Sequence, residues 1–593
     1  MIYEALADLA RREDLLQDTA YEPKPVHYLL VVGGNGELLG VLEPREPPPL
    51  DGKGRPKGRP TAVVRPVPRR SDRTSGDLAE FLVDKAEYVF GIDPKGKTST
   101  ERLSNRRDLF RQAVEDASRQ LPTSTGLQSV VRFLSKEPPE KIRELLSAEK
   151  EADQNALAGA LFAFIYKPDG GAAGVHDEPA VKEYFRSKLE GGEPPVGQCL
   201  VTGQAGVALT RLHAKPKGIP PKGLTKGGVP LTSVNADAFK SYGLEEIGGA
   251  PISREANVAI EFALNRLLDP AYPKPGGGSF ARQSVEISPD TVLVYWTRED
   301  AALDFVSGIE GRDPEEVAEL LRSPYKGGAA PIEDPTDFFA LVLSGMTGRA
   351  IVRSFLHSTV RDVAAAINQY REDARISRPY GERPGGYPLT ELRRALVARG
   401  DLKGLPPSLG TELYLDILYG RPFPRVILDV AVRRNRAHDF HSDPKKHDFR
   451  RLGPRCSLLK AYFNRNTKEA IAVSLEISRT DTSYRLGRLL AAVDKVQQEA
   501  LGGVSSTLVD RYYGAASSTP AAVFPTLLRR FQNHLGRLRR DKAGLAVNRE
   551  KLVQEILDRL ERFPTTLNLN DQGLFALGFY HQRLSFFTKK EEN

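Results

Sequence analysis

Apolar residues recur every three to four positions along the last hundred residues, and the pattern there predicts helices. Leu486, Leu489, Leu490, Val493 and Val496 form one stripe. Phe524, Leu527, Leu528, Phe531, Leu535 and Leu538 form a second, Leu552, Ile556, Leu557 and Leu560 a third, and Leu574, Phe575, Leu577 and Tyr580 a fourth. Four such segments with short connections predict a bundle with the stripes as its core. Thr519 before Pro520 reads as the N-cap and first-turn residue of the second helix. Upstream the periods mix. Ile2, Leu6, Leu9 and Ala10 share a helical face; residues 28–32 read as a strand, 33–36 as a Gly-rich turn and 37–42 as the returning strand. Helical patterns cover 101–121, 126–134 and 138–150. The apolar run 157–166 reads as a buried strand holding Phe162 and Phe164, and the strand 291–296 packs Trp296. Strand, turn and strand fill 338–361, and helices follow over 359–372 and most of 389–419. The expected fold class is α+β: a mixed α/β region over 1–345, a mostly helical connecting region with a basic loop over 346–482, and a C-terminal four-helix bundle over 483–593.

Composition sets the class. The 593 residues are 40% hydrophobic and 27% charged, the balance of a soluble globular protein. Cys199 and Cys456 are the only cysteines, too few for a four-thiolate zinc site or a disulfide framework, so a reducing compartment is expected. No run approaches 18 uncharged apolar residues, and the opening residues lack the basic and apolar regions of a signal peptide. The expected location is cytoplasmic, away from membranes.

The formal net charge of +8 is modest for this length, so its clustering carries more information than its total. Residues 51–75 hold eight Lys and Arg against two acids, among them Arg69, Arg70 and Arg73, with Thr74 and Ser75 as small donors before an N-cap expected at Asp77. Pro and Gly keep this stretch out of a helix, which leaves its arginines on loops or an edge strand. Between Gly203 and Gly228 lie five cations and no acid: Arg211, Lys215, Lys217, Lys222 and Lys226. Short strand candidates on either side of Thr202-Gly203 would present this loop on a rigid base, with a buried pattern at 231–235 and a helix at 236–242 beyond it. Cations on a Gly/Pro-rich loop suit a phosphate backbone, and arginine adds bidentate contacts to phosphate or a guanine edge. A solvated surface loop or a basic linker fits the same charge pattern. A third basic stretch, 421–460, includes Arg455 and Lys460 and surrounds His438, Asp439, His441 and His447. The bundle's outer faces carry Arg488, Lys495, Arg511, Arg529, Arg530, Arg537, Arg539, Arg540 and Lys542. A cationic flank of this kind could hold a single strand.

The wording of several segments is more specific than their charge. CLVTG, RLH, KG and SVNADAFKSYG at 199–243, NVAIEFALNRLL at 257–268, TVLVYW at 291–296, FLVDKAEYVFGID after Arg73-Thr74-Ser75-Gly76, and YRLGRLLAAVDKVQ, DRYYGAASSTPAAVFP and DQGLFALGFYHQR near the end resemble the large subunit of the type I-C CRISPR Cascade complex, the Csd family. The resemblance covers nearly the whole chain. It departs at 219–226, where IPPKGLTK replaces a Gly/Gln/Ser-rich loop. The resemblance implies a non-catalytic subunit without cofactor that recognises the protospacer-adjacent motif of double-stranded DNA and aids R-loop formation. Its implied partners are crRNA held by backbone subunits, the Cascade backbone and small subunits, and a recruited helicase-nuclease. In that family the C-terminal region is also made separately as the small subunit. The resemblance places 69–76 near the motif-bearing duplex, with Arg211, Lys215, Lys217, Lys222 and Lys226 beside it, and Arg529, Arg530, Arg537, Arg539 and Arg540 on the displaced strand.

Two other readings remain open from the residues. His438, Asp439, His441 and His447 could ligate a divalent ion for phosphoester hydrolysis, although a Ser/Pro/Lys setting reads as loop and ligands from separate helices are missing from the pattern. A general RNA-binding protein is the other; no aromatic RNA-recognition motif or KH-type GXXG pair is evident.

Overall fold

The computed structural model describes the chain apart from residues 17–19, 47–60, 70–75, 148–149, 168–173, 191–194, 211–212, 222–224, 226–227, 235–236, 238–243, 245–247, 270–271, 275–278, 324–329, 380–381, 438–448, 468–469, 503–505 and 588–593. The fold is α+β, with helix predominating. The chain divides into two compact units, one of Met1–Arg282 with Met346–Ile351, the other of Gln283–Gly345 with Val352–Asn593.

The first unit is built on a three-stranded sheet. Tyr28–Val32 is central, antiparallel to Leu38–Leu42 and parallel to Phe162–Tyr166. All five residues of the central strand are buried, as a strand covered on both faces requires. The Gly33–Gly36 turn joins the antiparallel pair, with the Gly33 amide donating to the Glu37 carbonyl at 2.9 Å. The parallel pair needs a long crossover. The helices Thr100–Gln120, Thr125–Leu134, Glu140–Leu146 and Glu151–Gly159 lie along it, the first two capped by the Ser99 and Ser124 hydroxyls. Phe162 and Phe164 are core residues; Phe162 stacks on Tyr28 with centroids 4.9 Å apart. The expectation of one strand over 157–166 is corrected at its start, because Leu157 lies in the helix Glu151–Gly159 and the strand begins at Phe162. The opening helix Ile2–Arg12 buries Leu6, Leu9 and Ala10 and packs against the helix Arg254–Leu268. Arg266 fixes that pairing through Glu13, at 2.6 and 3.1 Å.

The second unit holds a four-stranded sheet in the order Ser284–Ser288, Thr291–Thr297, Asp337–Met346, Arg349–Thr359. Trp296 is fully buried and stacks on Phe339 at 5.5 Å, so it is a packing residue. One continuous apolar core runs from Val285 to Leu584. Each of the four C-terminal stripes falls on a helix, Thr482–Leu501, Pro520–Asp541, Ala543–Asp558 and Leu569–Ser585, except that Leu560 lies just past the end of the third. A fifth, Leu508–Ala516, stands between the first two, closed by a Thr507–Asp510 capping box. Leu569–Ser585 also packs on Arg425–Arg436 and Phe449–Asn466, so the bundle shares its core with the helices before it. Its contact with Thr482–Leu501 is close. A β-carbon at Gly487 would strike the Phe575 carbonyl, and one at Gly578 the Tyr484 carbonyl. Pro520 opens its helix as expected, but the Thr519 hydroxyl donates back to the Ala515 carbonyl at 3.2 Å instead of capping forwards.

Three cations read as surface charge are interior. Arg455 is fully buried and donates to the Ala395 carbonyl at 2.6 Å, and Lys460 donates to the Asp373 carbonyl at 3.1 Å. Ala395 and Asp373 end or nearly end their helices, where carbonyls lack helical partners. Arg488 is likewise buried, bound to Gln582 and Glu555 at 3.0 and 3.3 Å.

Candidate nucleic-acid interface

The helix Arg254–Leu268 is the post on which the first unit's basic segments are hung. Ser253 caps it. Asn257 and Asn265 sit eight residues apart, just over two turns, and so face the same way. The Asn257 side-chain oxygen accepts the Ala214 amide at 2.7 Å, and that of Asn265 accepts the Lys217 amide at 2.8 Å. Residues 214–217 are therefore held along the helix by two side-chain amides. The Val229 amide closes the loop by donating to the Pro216 carbonyl at 3.1 Å. At Gly228 φ is +86°, and a β-carbon would collide with the Lys215 carbonyl, so only glycine allows this approach. Ile219 and Thr225 are buried at the loop's base, with the Thr225 hydroxyl bound to the Ile219 and Pro221 carbonyls.

The same helix carries Glu261, which pairs with Arg69. The Arg69 guanidinium also lies 5.8 Å from the centre of the Phe262 ring. Burial raises the Glu261 carboxyl above its ordinary range and outweighs the pull of Arg69 and Lys217 in the other direction. Lys217 reaches Glu22 at 3.8 Å, and Lys24 reaches the same carboxylate at 3.2 Å. Arg69 and Lys217, from basic stretches about 150 residues apart in sequence, thus converge on one acidic cluster.

The far end of the first stretch is clamped too. Asp77 is not a helix cap. It takes Arg102 at 2.8 Å and Arg106 at 2.7 Å, and the Arg102 hydrogen bond leads in pulling its carboxyl below the usual range. Residues 70–75 are bounded on one side by Arg69–Glu261 and on the other by Asp77–Arg102/Arg106. Arg70, Arg73, Thr74 and Ser75 lie outside the described residues, as do Arg211, Lys222 and Lys226 and most of the helix expected at 236–242. Of the strand base, a two-residue ladder is present, Val196–Gly197 with Val207–Ala208. Leu200 to Thr202 form a turn, and residues 231–234 are half-buried without forming a strand.

In the second unit the helix Pro520–Asp541 buries Phe524, Leu527, Phe531, Leu535 and Leu538. Its opposite side exposes Arg529, Arg537 and Arg540, none with a carboxylate partner among the described residues. Arg539 pairs with Glu550 at 2.7 Å, and Arg530 lies 5.7 Å from the centre of the Tyr512 ring. Burial and then the charges of Arg530 and Arg537 depress the His534 pKa, the sign of a positive local potential. Lys495 pairs with Glu499 at 3.6 Å, and Arg511 with the Ser506 hydroxyl at 3.1 Å.

His438, Asp439, His441 and His447 lie outside the described residues. Among the described residues, no three His, Cys, Asp or Glu side chains stand together as a metal site, and no helix is long and apolar enough to cross a membrane. Cys199 and Cys456 are both free and buried. Charge reading missed the acceptors that organise the site, Glu261, Asn257, Asn265 and Asp77. The eight-residue spacing of the two asparagines was the available signal.

Compared with protein families, residues 1–587 match the model of CRISPR-associated protein (Cas_Csd1). No curated protein matches the chain.

Proposed function

The chain belongs to the Csd1 family of CRISPR-associated proteins, the large subunits of Cascade, and on that premise we propose that it reads the protospacer-adjacent motif of a double-stranded DNA target within a type I-C complex. The observation that carries this reading is the convergence of Arg69 and Lys217 around Glu261, which anchors both basic loops on one helix. The anchored residues spend their charge on Glu261 and Glu22, leaving Arg70, Arg73, Lys222 and Lys226, which follow them in sequence, to meet DNA. The guide reads the long sequence by base pairing while the protein reads a short motif and helps part the strands. The exposed arginines of Pro520–Asp541 hold the displaced strand. Cleavage belongs to a helicase-nuclease recruited after the R-loop forms, and this chain contributes no catalytic group.

The test is binding of the assembled complex to guide-matched duplexes with and without the motif. Arg70→Ala/Arg73→Ala is expected to shrink the preference for the motif by about 1–3 kcal/mol per lost base contact. Equal weakening on both duplexes assigns the loop to phosphate contact instead. An unchanged profile removes it from the interface.

A further inference from the structure

We propose that an open cleft over residues 472–478 of the second unit is a docking site for an extended segment of a partner protein. The segment sets a carboxylate on Arg559 and an apolar side chain against Leu475 and Ile477.

The cleft lies along the stretch that leads into the helix Thr482–Leu501. Ala472, Leu475, Glu476, Ile477 and Arg559 contribute to its lining, and its volume is about 470 Å³. Residues 470–481 form neither helix nor strand, yet their backbone is pinned at several points. The Ile471 amide donates to the Asn464 side-chain oxygen at 2.9 Å, and the Ser377 amide to the Val473 carbonyl at 2.8 Å. The Glu476 amide donates to the Tyr484 hydroxyl at 3.3 Å. Arg488 and Arg559 both donate to the Ile477 carbonyl, at 3.4 and 3.3 Å. A cleft held in this way is formed before a ligand arrives, which lowers the ordering cost of binding.

Apolar surface and charge together choose the occupant. Ile477 is 50% exposed beside the half-buried Ala472 and Leu475, so its fixed backbone holds apolar surface in water that a ligand can cover. The guanidiniums of Arg479, Arg485, Arg488 and Arg559 gather around the same stretch. Arg479 takes Glu476 and Asp481 at 3.4 and 2.6 Å, and Arg488 takes Glu555 at 3.3 Å. Arg485 donates to the Arg479 and Arg559 carbonyls at 2.8 and 2.5 Å. Burial and then the charges of Arg559 and Arg488 lower its pKa against the pull of Asp481, which marks a positive local potential. Arg559 follows the last residue of the helix Ala543–Asp558, is exposed, and has no carboxylate partner among the described residues. An incoming carboxylate complements it. A nucleic-acid strand would instead lay its phosphates against Leu475, Ile477 and the Glu476 carboxylate, so the lining favours protein.

The test titrates the full chain, isotopically labelled in its isoleucine δ1 methyls, with defined probes. These are the capped tripeptide acetyl-leucyl-aspartyl-leucinamide, its asparaginyl counterpart, and decathymidylate. The Ile477 methyl resonance is assigned with Ile477→Val. The aspartyl tripeptide is expected to shift that resonance, and the asparaginyl tripeptide to bind about three- to fivefold more weakly, the worth of one exposed charge pair. Arg559→Ala should bind both tripeptides alike, at the asparaginyl strength, with the other isoleucine methyls unmoved. Arg559→Lys, which keeps the charge, should keep the preference. The absence of a shift with the aspartyl tripeptide overturns the proposal. So does equal binding of the two tripeptides by the wild type, or a preference that survives Arg559→Ala. A shift produced by decathymidylate in place of the aspartyl tripeptide assigns the cleft to nucleic acid and overturns it as well.

Discussion

Removing the Glu261 carboxylate and removing the Arg69 guanidinium distinguish an anchoring arginine from one that touches DNA. In the anchoring role, Glu261→Gln and Arg69→Ala both release the loop that begins at residue 70. Both are then expected to lower motif preference to a similar degree, with a stability loss of about 1–2 kcal/mol from breaking a partly buried pair. If Arg69 contacts DNA itself, Glu261→Gln would free it and tighten binding while Arg69→Ala weakens it, which a filter-binding comparison resolves. A second residue sets acid sensitivity. His581 is buried; its Nδ1 meets the Tyr484 hydroxyl at 2.8 Å, and burial, with Lys460 and Arg479 nearby, lowers its pKa to about 3. The folded state keeps this ring neutral while the unfolded chain takes up a proton below its ordinary value of 6.5. Stability is therefore retained above that value and lost as pH falls from it towards 3, by up to about 1.4 kcal/mol per pH unit. His176, buried with a lowered pKa, acts in the same sense. Thermal melts between pH 7.5 and 5 should show a shallower decline for His581→Gln than for wild type, and an unchanged slope would contradict this. At this scale the charge of a residue was legible in sequence and its burial was not. Arg455, Lys460 and Arg488 look like surface cations until their carbonyl and side-chain acceptors, distant in sequence, are placed.

The element that organises the first unit is the helix Arg254–Leu268, and its hold on the basic loop depends on the approach of residue 228. Gly228→Ala forces a side chain into a left-handed backbone position against a carbonyl. Its expected cost is about 1–3 kcal/mol, with weaker binding to duplexes of any sequence, checked by melting and by affinity on motif and scrambled targets. On the helix Pro520–Asp541, the triple change Arg529→Ala/Arg537→Ala/Arg540→Ala should lower the salt slope for displaced-strand binding by about 2, at roughly 0.7 per phosphate, without altering motif preference. An unaltered slope would remove that helix from the strand's path. Long stripes such as Phe524 to Leu538 were legible because eleven or more residues of one period leave little choice. The nine-residue helix Leu508–Ala516 offers too few repeats, and the apolar run from 157 hides a change from helix to strand at Ala160 because an unbroken apolar run shows neither period. Asp77 resembled a cap because capping and arginine pairing use the same carboxylate.

Taken whole, the chain sets its functional residues on two units, and the boundary after Arg282 closely follows the Gly/Pro-rich run 274–279. Pairing of Thr291–Thr297 with Asp337–Met346 assigns that region to the second unit, and strand pairing of this range leaves no local mark. The α+β class and the two basic stretches of the first unit were readable from pattern and charge. Their convergence was not, because it depends on Glu261 and on an asparagine pair whose partners are backbone amides. The central claim is that residues 70–75 and the 218–227 loop form one surface on one stretch of duplex. It is tested most directly by placing a photocrosslinking residue at position 73 and, separately, at position 222 in the assembled complex, and mapping the crosslinks on a motif-bearing target. Crosslinks from both positions within about five base pairs of each other, half a helical turn, are the predicted result. Crosslinks more than a full turn apart, or from only one of the two positions, would contradict it.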